Sequence, residues 1–176
     1  SRQYQTGQVA GQLKHRWPGV RFVASAADER KLGVLKEMEA EHFECEYEVA
    51  NVAGIAQDCD LALVASGSAT LQVAAGGCPM VIMYQSSRLL WELAGRWLVR
   101  SRFLSLVNIL AGKELVPEFM PYFGSTRPIV QRCYSLLSSK TKMQRISDEL
   151  VEMVRPLTDG SASDRCADEV IGMLKG

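Results

Sequence analysis

Residues 60–84 read "DLALVASGSATLQVAAGGCPMVIMY", two apolar runs separated by a turn of small residues. The first run, 60–66, is continuous, which is typical of a strand covered on both faces, and the second, 79–84, has the same character. Between them a Gly/Ser-rich turn leads into a helix-forming segment at 68–75. The order strand, turn, helix, strand predicts one repeat of a parallel α/β sheet.

The preceding segments continue this alternation. Val9, Leu13 and Trp17 recur every four residues on a predicted helix, and Asp28 is placed to cap another, on which Leu32, Leu35 and Met38 share a face. Residues 43–49 alternate apolar residues with Glu, as in a half-buried strand near a sheet edge. The pattern predicts helices over 7–17, 29–41 and 51–58 and strands over 20–26 and 43–49.

The second half of the chain becomes progressively more helical. The pattern predicts a helix over 86–99, a last strand over 102–107, and two or three helices from about 126 with a break at 159–164. These segments predict an α/β layered domain, with a parallel sheet and right-handed crossovers, over 1–125. Residues 126–176 would add C-terminal helices packed on the same domain.

Composition excludes several classes of protein. Lys+Arg and Asp+Glu number 20 each, so no overall charge draws the chain to nucleic acid. The five cysteines are widely spaced, with no Cys-x-x-Cys, which favours free thiols in a reducing, cytoplasmic compartment. No apolar run approaches the ~20 residues that span a bilayer. The opening residues suggest a segment cut from a longer protein.

Catalytic and metal-binding groups are sparse. His15 and His42 lie far apart, and neither has carboxylates at ligand spacing, so no metal site is predicted. The carboxylates form no evident acid/base pair, and no nucleophile activated by a histidine is visible. The candidates considered were Asp58, Asp60, Glu92, Glu114 and Glu118. No catalytic residue is predicted in this chain.

The turn after residue 66 is the best candidate for binding. Gly67 lets the backbone approach a ligand, Ser68 and Thr70 carry hydroxyls, and the first amides of the next helix have no partner within it. Such a turn suits a phosphate or diphosphate. A well-capped helix start in an ordinary α/β protein explains the same residues equally well. Neither the P-loop nor the Gly-x-Gly-x-x-Gly pattern is present.

Two blocks, "ASGSATLQVAAGGCPMVIMYQSS" at 65–87 and "WELAGRWLVRSRFLSLVNILAGKELVPEFM" at 91–120, resemble the C-terminal half of the lipid-A-disaccharide synthase family. That family has Ala-Ser-Gly-Thr-Ala-Thr-Leu-Glu in the first block, and Ser-Leu-Pro-Asn-Ile-Leu-Ala-Gly and Glu-Leu-Val-Pro-Glu in the second. The resemblance implies a GT-B glycosyltransferase with two Rossmann-like domains, of which this chain would be the donor-binding one. The implied reaction joins UDP-2,3-diacylglucosamine to lipid X (2,3-diacylglucosamine 1-phosphate) and releases UDP.

The resemblance also implies the site residues. The family's donor-phosphate turn corresponds to Ser66, Gly67, Ser68, Ala69 and Thr70, with Tyr84 and Asn108 as further donor contacts. Gln72 stands where the family has a Glu that accepts hydrogen bonds from the ribose. Exchanging a charge-assisted bond for a neutral one costs on the order of 1 kcal/mol, or roughly five- to tenfold in affinity. Val107 replaces a proline, which frees the preceding backbone.

Partners follow from the same resemblance. The donor substrate would be the UDP-sugar, with no further cofactor, and the absent N-terminal half would bind lipid X and supply the acid/base. The segment 86–103 combines basic residues with tryptophans, which favours a peripheral position on the inner face of the cytoplasmic membrane; a core helix with solvated arginines is the alternative. The residues for membrane contact are Arg88, Trp91, Arg96, Trp97 and Arg100. Homo-oligomerisation stays open.

Two other functions remain. One is a different GT-B enzyme acting on UDP-N-acetylglucosamine, such as a non-lipid transferase or a 2-epimerase, against which the block "SLVNILAGKELVPE" argues. The other is a degenerate binding or assembly module that kept the fold and lost the chemistry. Gln72 and Val107, which depart from the family pattern, are the residues that favour it.

Overall fold

The computed structural model describes residues 2–37, 44–65, 67–84, 103–120 and 124–158. Helices and strands alternate along the first part of the chain, and helices follow. The helices are α1 (Arg2–Arg16), α2 (Glu29–Glu37), α3 (Val52–Asp58), α4 (Ala69–Ala75), α5 (Leu106–Ala111), α6 (Arg127–Leu137) and α7 (Lys140–Thr158). The strands are β1 (Val23–Ala26), β2 (Glu46–Val49), β3 (Ala62–Val64), β4 (Met80–Met83) and β5 (Glu118–Phe119).

All the strand pairs are parallel, as the sequence predicts. β1 pairs with β2 in one sheet, and β3, β4 and β5 form a second sheet in that order. The α/β class with parallel pairing is therefore confirmed. The strands of the described segments divide into two sheets, whereas the alternating pattern predicts one.

The core is centred on β4. Met80, Val81 and Ile82 have no exposed surface, and Met83 is 8% exposed. A fully buried side chain of this size contributes about 1.5–3 kcal/mol through removal of apolar surface from water. β4 pairs with strands on both sides and contacts α6, whose Cys133 and other apolar residues belong to the same buried cluster.

Several predicted features are confirmed at the level of individual residues. Val9 and Leu13 of α1 are buried in the core, and Trp17 is half-buried just beyond the helix end. The carboxylate of Asp28 accepts a hydrogen bond from the amide of Lys31 at 2.8 Å, which caps the start of α2. Tyr47 on β2 is half-buried between exposed glutamates, as an edge strand requires.

The strand predicted over 102–107 is wrong. The Ser105 hydroxyl accepts a hydrogen bond from the Asn108 amide at 3.3 Å, so Ser105 is the N-cap of α5. Gly112 then ends the helix in the left-handed conformation, with φ of 65°. The strand that pairs with β4 comes later, at Glu118 and Phe119, and is only two residues long.

Other predictions are confirmed only in part or fall outside the described residues. α2 buries no residue completely, so its apolar face, with Leu32 and Leu35 half-buried, is only lightly covered. Met38, the predicted helix over 86–99 with its basic and tryptophan residues, and the break at 159–164 all lie outside the described residues. Of the helices that the structure describes, none is long and apolar enough to cross a membrane.

The two C-terminal helices pack on the α/β layers. Tyr134 of α6 meets Trp17 edge to face, with ring centroids 5.2 Å apart, and its hydroxyl donates to the Gln12 carbonyl at 3.1 Å. α7 contacts α4 and α6, and its buried Leu150 joins the core cluster. Both helices follow the prediction of helical structure from about 126.

Two buried thiols make the core sensitive to alkali. The described cysteines are free, and burial raises the pKa of Cys78 to about 12 and that of Cys133 to about 11. Because the charged thiolate is disfavoured in the apolar interior, both thiols stay protonated at neutral pH. Neither is suited to act as a nucleophile or a metal ligand there.

Cys133→Ala should flatten the fall of stability above pH 9. The pKa of Cys133 in the folded chain, about 11, lies above the ordinary thiol value of 9.0, so its contribution to stability is complete below pH 9 and is lost as pH rises towards 11. The free energy of unfolding of the unmodified chain should fall by about 1.4 kcal/mol per pH unit more steeply than that of the variant. Urea unfolding at pH 8–11 measures both slopes. Val130→Ala, another buried position on α6, should keep the steep slope; equal slopes in all three would contradict the prediction.

Candidate functional site

The carboxyl ends of β3, β4 and β5 lie along one edge of the sheet, because the strands are parallel. Tyr84 follows β4 and donates its amide to the Phe119 carbonyl at 3.1 Å, which holds the ends of β4 and β5 together. The side chain of Tyr84 is half-buried at this edge. Ligands of open parallel sheets bind beyond such carboxyl ends.

The turn after β3 is open. Gly67 is exposed, with φ of 136°, and a Cβ built on it would meet no atom of the described structure within 4 Å. An L residue rarely adopts this backbone conformation, so glycine is required. Ser68 is also exposed, and its side chain makes no capping hydrogen bond. Ser66 lies outside the described residues.

Thr70 stabilises this turn through two hydrogen bonds to one carbonyl oxygen. Its side chain is 0% exposed, and its hydroxyl donates to the Gly67 carbonyl at 2.7 Å while its amide donates to the same oxygen at 3.1 Å. The amides of Leu71 and Gln72 both donate to the Ser68 carbonyl. The amides of Ser68 and Ala69 have no backbone acceptor in the described part of the chain.

Gln72 lies near the start of α4, within one helical turn of the Gly67 turn, and its side chain is exposed. Ala69, the first residue of α4, is half-buried. An exposed amide side chain there is free to reach a bound group, but it is also what an ordinary solvent-facing helix position looks like.

Asn108 has a different place from the one expected. Its side chain is 0% exposed, and its Nδ2 donates to the Val116 carbonyl at 2.9 Å and to Glu118 at 2.8 Å. Its Oδ1 accepts from the amides of Leu115 and Val116 at 2.9 and 3.1 Å. The hydrogen-bonding capacity of the amide is filled within the protein. In this arrangement Asn108 fixes the backbone of the edge and offers no group to a ligand.

Glu118, which the sequence analysis considers only as an acid/base candidate, has a structural role that the sequence did not reveal. Its carboxylate accepts hydrogen bonds from the Leu104 amide at 2.8 Å, the Ser105 hydroxyl at 2.6 Å and Asn108 Nδ2 at 2.8 Å. It therefore ties the loop before α5 to β5. One signal was available in the sequence: Ser105 and Asn108 stand at capping distance, and Glu118 ends the second half of the same block.

The predicted residues therefore share one edge but take different roles. α4 packs against α5, so the Gly67 turn and the Asn108–Glu118 cluster belong to neighbouring elements. Glu118 stands in register with Ile82, near the end of β4. Gly67, Ser68 and Gln72 are exposed at this edge and Ala69 is half-buried, while Thr70 and Asn108 are fully buried.

A cleft of about 850 Å³ lies at the opposite edge of the sheet. It is lined by residues that precede the strands and by the turn between α6 and α7, among them Trp17, Asp60, Pro79, Lys140 and Met143. Because parallel sheets bind ligands at their carboxyl ends, we assign the candidate site to the Gly67 edge. No group of three or more metal-ligating side chains occurs among the described residues.

The fold and the open glycine turn define a Rossmann-like α/β domain. A model of the Lipid-A-disaccharide synthetase family matches residues 4–168, and the chain therefore belongs to this family. It is 29% identical to a lipid-A-disaccharide synthase of Geobacter sulfurreducens, over 95% of this chain and 44% of the relative. It is 31% identical to one of Pseudomonas putida, over 90% and 41%. The chain thus spans less than half the length of these curated relatives.

Asn108→Ala should destabilise the chain by about 2–4 kcal/mol, because it leaves the buried amides of Leu115 and Val116 without an acceptor. Urea unfolding measures the difference. Asn51→Ala removes an exposed asparagine that makes one side-chain bond, to Glu48 at 2.9 Å, and should change stability by less than about 1 kcal/mol. Equal losses in the two variants would contradict the supporting role of Asn108.

Proposed function

We propose that this chain is the donor-binding domain of a lipid-A-disaccharide synthase. The observation that carries the proposal is the family match over residues 4–168, which includes the whole carboxyl edge. The donor would be a UDP-diacylglucosamine, and its sugar would pass to 2,3-diacylglucosamine 1-phosphate with release of UDP. No cofactor besides the donor substrate is required by this proposal.

The diphosphate of the donor would lie over the Gly67 turn. Three features support this position: the turn has open space above it, the Ser68 and Ala69 amides lack backbone acceptors in the described structure, and the Ser68 hydroxyl is exposed. A hydrogen bond from such a donor to a charged oxygen contributes about 1.5–3 kcal/mol. Thr70 would act by holding the Gly67 carbonyl away from the phosphate, through its 2.7 Å hydrogen bond.

The roles that we propose for the remaining residues depend on whether their side chains are exposed or buried. Gln72 would accept or donate a neutral hydrogen bond at the ribose, and Tyr84 would border the pocket at the end of β4. Asn108 would act indirectly, by fixing the backbone from Ser105 to Val116 together with Glu118. We place Asn108 among the positioning residues for this reason.

The rest of the protein would complete the enzyme. The acceptor-binding surface and the acid/base are proposed to lie in polypeptide beyond this chain, which covers only 44% of the Geobacter sulfurreducens relative. The basic and tryptophan-containing segment 86–103, of which only Phe103 is among the described residues, is proposed to contact the inner face of the cytoplasmic membrane.

Gln72→Glu should bind UDP roughly five- to tenfold more tightly than the unmodified chain, because a carboxylate restores a charge-assisted bond to the ribose. Isothermal titration of both proteins with UDP measures the change. A degenerate module, the alternative that Gln72 and Val107 favour, should show no saturable binding in either form. That result would refute the proposed donor site.

Two glycine variants are compared in the same titration, Gly67→Ala as the test and Gly19→Ala as its control. Gly67→Ala forces an L residue into a backbone with φ of 136° and should weaken UDP binding at least about tenfold. Gly19→Ala changes a loop glycine that has open space around it and no positive φ, and should leave binding unchanged. Equal affinity of the two alanine variants would place the nucleotide elsewhere.

The 176-residue chain should bind UDP but transfer no sugar, because the acid/base is proposed to lie in polypeptide beyond it and the sequence shows no evident acid/base pair. Incubation with UDP-2,3-diacylglucosamine and lipid X, followed by separation of the lipid products, tests this. Detectable disaccharide formed by this chain alone would contradict the proposal that the acid/base lies in polypeptide beyond it.

A further inference from the structure

One face of α5 carries large apolar side chains in contact with solvent. Leu106, Ile109 and Leu110 are 40%, 45% and 51% exposed, and they make up half of the large apolar residues that are exposed in the described parts of the chain. Residues three and four apart on a helix are neighbours, so these three side chains form one continuous surface, the α5 strip. Single exposed leucines are ordinary on a protein surface, but a contiguous apolar strip indicates a binding partner.

The orientation of α5 is fixed by its opposite face. Val107 and Asn108 are fully buried there. The Asn108 side chain is hydrogen-bonded to the backbone of Leu115 and Val116 and to the carboxylate of Glu118. Turning the helix to bury the strip would break these bonds and leave buried polar groups unpaired, which is costly. The contacts that stabilise the edge therefore also hold the apolar strip towards solvent.

The α5 strip begins at the carboxyl edge. Ser105, which precedes it, donates its hydroxyl to Glu118, and Glu118 is in register with Ile82, one residue before the end of β4. α5 also contacts α4, which begins directly after the Gly67 turn. The strip is therefore continuous with the edge to which the donor site is assigned.

The dimensions of the strip favour a narrow occupant. Leu106–Ala111 is a helix of six residues, about 9 Å long and about 10 Å across, so one face has a footprint on the order of 100 Å². A standard protein interface buries about 800 Å² of each partner. The strip is too small to form such an interface by itself, whereas a hydrocarbon chain laid along one helix face fits it.

The charges that follow the strip distinguish between two kinds of lipid partner. α5 contains no charged residue, and Lys113 and Glu114, just beyond it, form ion pairs with Glu149 and Arg132. A surface that binds an anionic bilayer combines its apolar residues with basic side chains that attract the lipid headgroups. Because Lys113 and Arg132 are paired with carboxylates, this part of the surface suits an uncharged acyl chain better than a layer of anionic headgroups.

We propose that the α5 strip binds a fatty acyl chain of the donor substrate. This inference rests on the proposed function, in which the donor is a UDP-diacylglucosamine with its diphosphate over the Gly67 turn. The sugar joins the diphosphate to the acyl groups, so a donor held at the turn brings its acyl chains to the same edge. The strip would make the chain select acylated donors over unacylated UDP-sugars.

The affinity ratio of an unacylated and an acylated donor tests the strip. Each methylene group removed from water contributes about fourfold in affinity. The 176-residue chain should bind UDP-2,3-dihexanoylglucosamine at least about tenfold more tightly than UDP-glucosamine in isothermal titration. Leu110→Gln puts a polar group on the most exposed position of the strip and should reduce this ratio at least about fourfold.

Val151→Gln is the matched control. Val151 is an exposed apolar residue of α7, and it lies close to Gly77, which precedes β4 at the opposite edge of the sheet. This variant should keep the ratio of the unmodified chain. A ratio near one in the unmodified chain, or an equal loss in Leu110→Gln and Val151→Gln, would overturn the inference and leave the nucleotide site intact. Failure to bind UDP in any form would instead refute the proposed function.

An NMR titration tests the strip without the nucleotide. 2,3-Dihexanoylglucosamine, which lacks UDP, should shift the methyl resonances of Leu106, Ile109 and Leu110 saturably. The methyl resonances of Val34 and Val151, which are also exposed, should stay unchanged. Shifts confined to the strip would support acyl contact even in a chain that bound no UDP. Equal shifts at all five residues, or none at the strip, would overturn the inference.

The same spectra identify the other occupants of the strip. Strip resonances that shift with protein concentration alone would mean that a second copy of the chain covers it. Vesicles of phosphatidylglycerol and phosphatidylcholine that broaden the strip resonances, when dihexanoylglucosamine leaves them unchanged, would mean that a bilayer surface does. Either result would overturn the acyl-chain assignment.

Discussion

Parallel pairing on both sides of β4 is the constraint on which the rest of the described structure depends. β4 is buried along its whole length, and its two neighbours fix the directions of β3 and β5. Because all three strands run the same way, each must be reached by a crossover, and α4 and α5 provide elements of those crossovers. The same constraint collects the strand ends, and with them Gly67 and Tyr84, along one edge.

The sequence predicts β3, α4 and β4 well because buried parallel strands have continuous apolar sequences. The segments 60–66, 68–75 and 79–84 each contain the observed element, whose ends lie at most two residues inside the predicted ones. The failure at 102–107 has a physical cause: its apolar residues look like a strand, but the Ser105 cap and Gly112 define a short helix. β5 has two residues, one of them charged, and its length and composition give no periodic pattern to detect.

For the candidate site, too, one part could be predicted from the sequence and another part could not. Residue type and spacing indicated the turn correctly as an open glycine turn, since positive φ is a property that a sequence can reveal. Whether a polar side chain faces a ligand or the protein depends on tertiary packing. Thr70 and Asn108 are both fully buried. Asn108 donates to Val116 and Glu118, which lie eight and ten residues further along the chain and are partners that no local pattern identifies. The family pattern therefore marks residues needed for the edge without distinguishing contact from support.

The cluster of Asn108 and Glu118 explains why a charged residue can sit inside this edge. A carboxylate in a partly buried position costs free energy unless it is hydrogen-bonded, and Glu118 accepts from Leu104, Ser105 and Asn108. These bonds hold one wall of the edge by contacts internal to the chain. On the β3 side, the hydroxyl and the amide of Thr70 both donate to the Gly67 carbonyl and hold the turn in place.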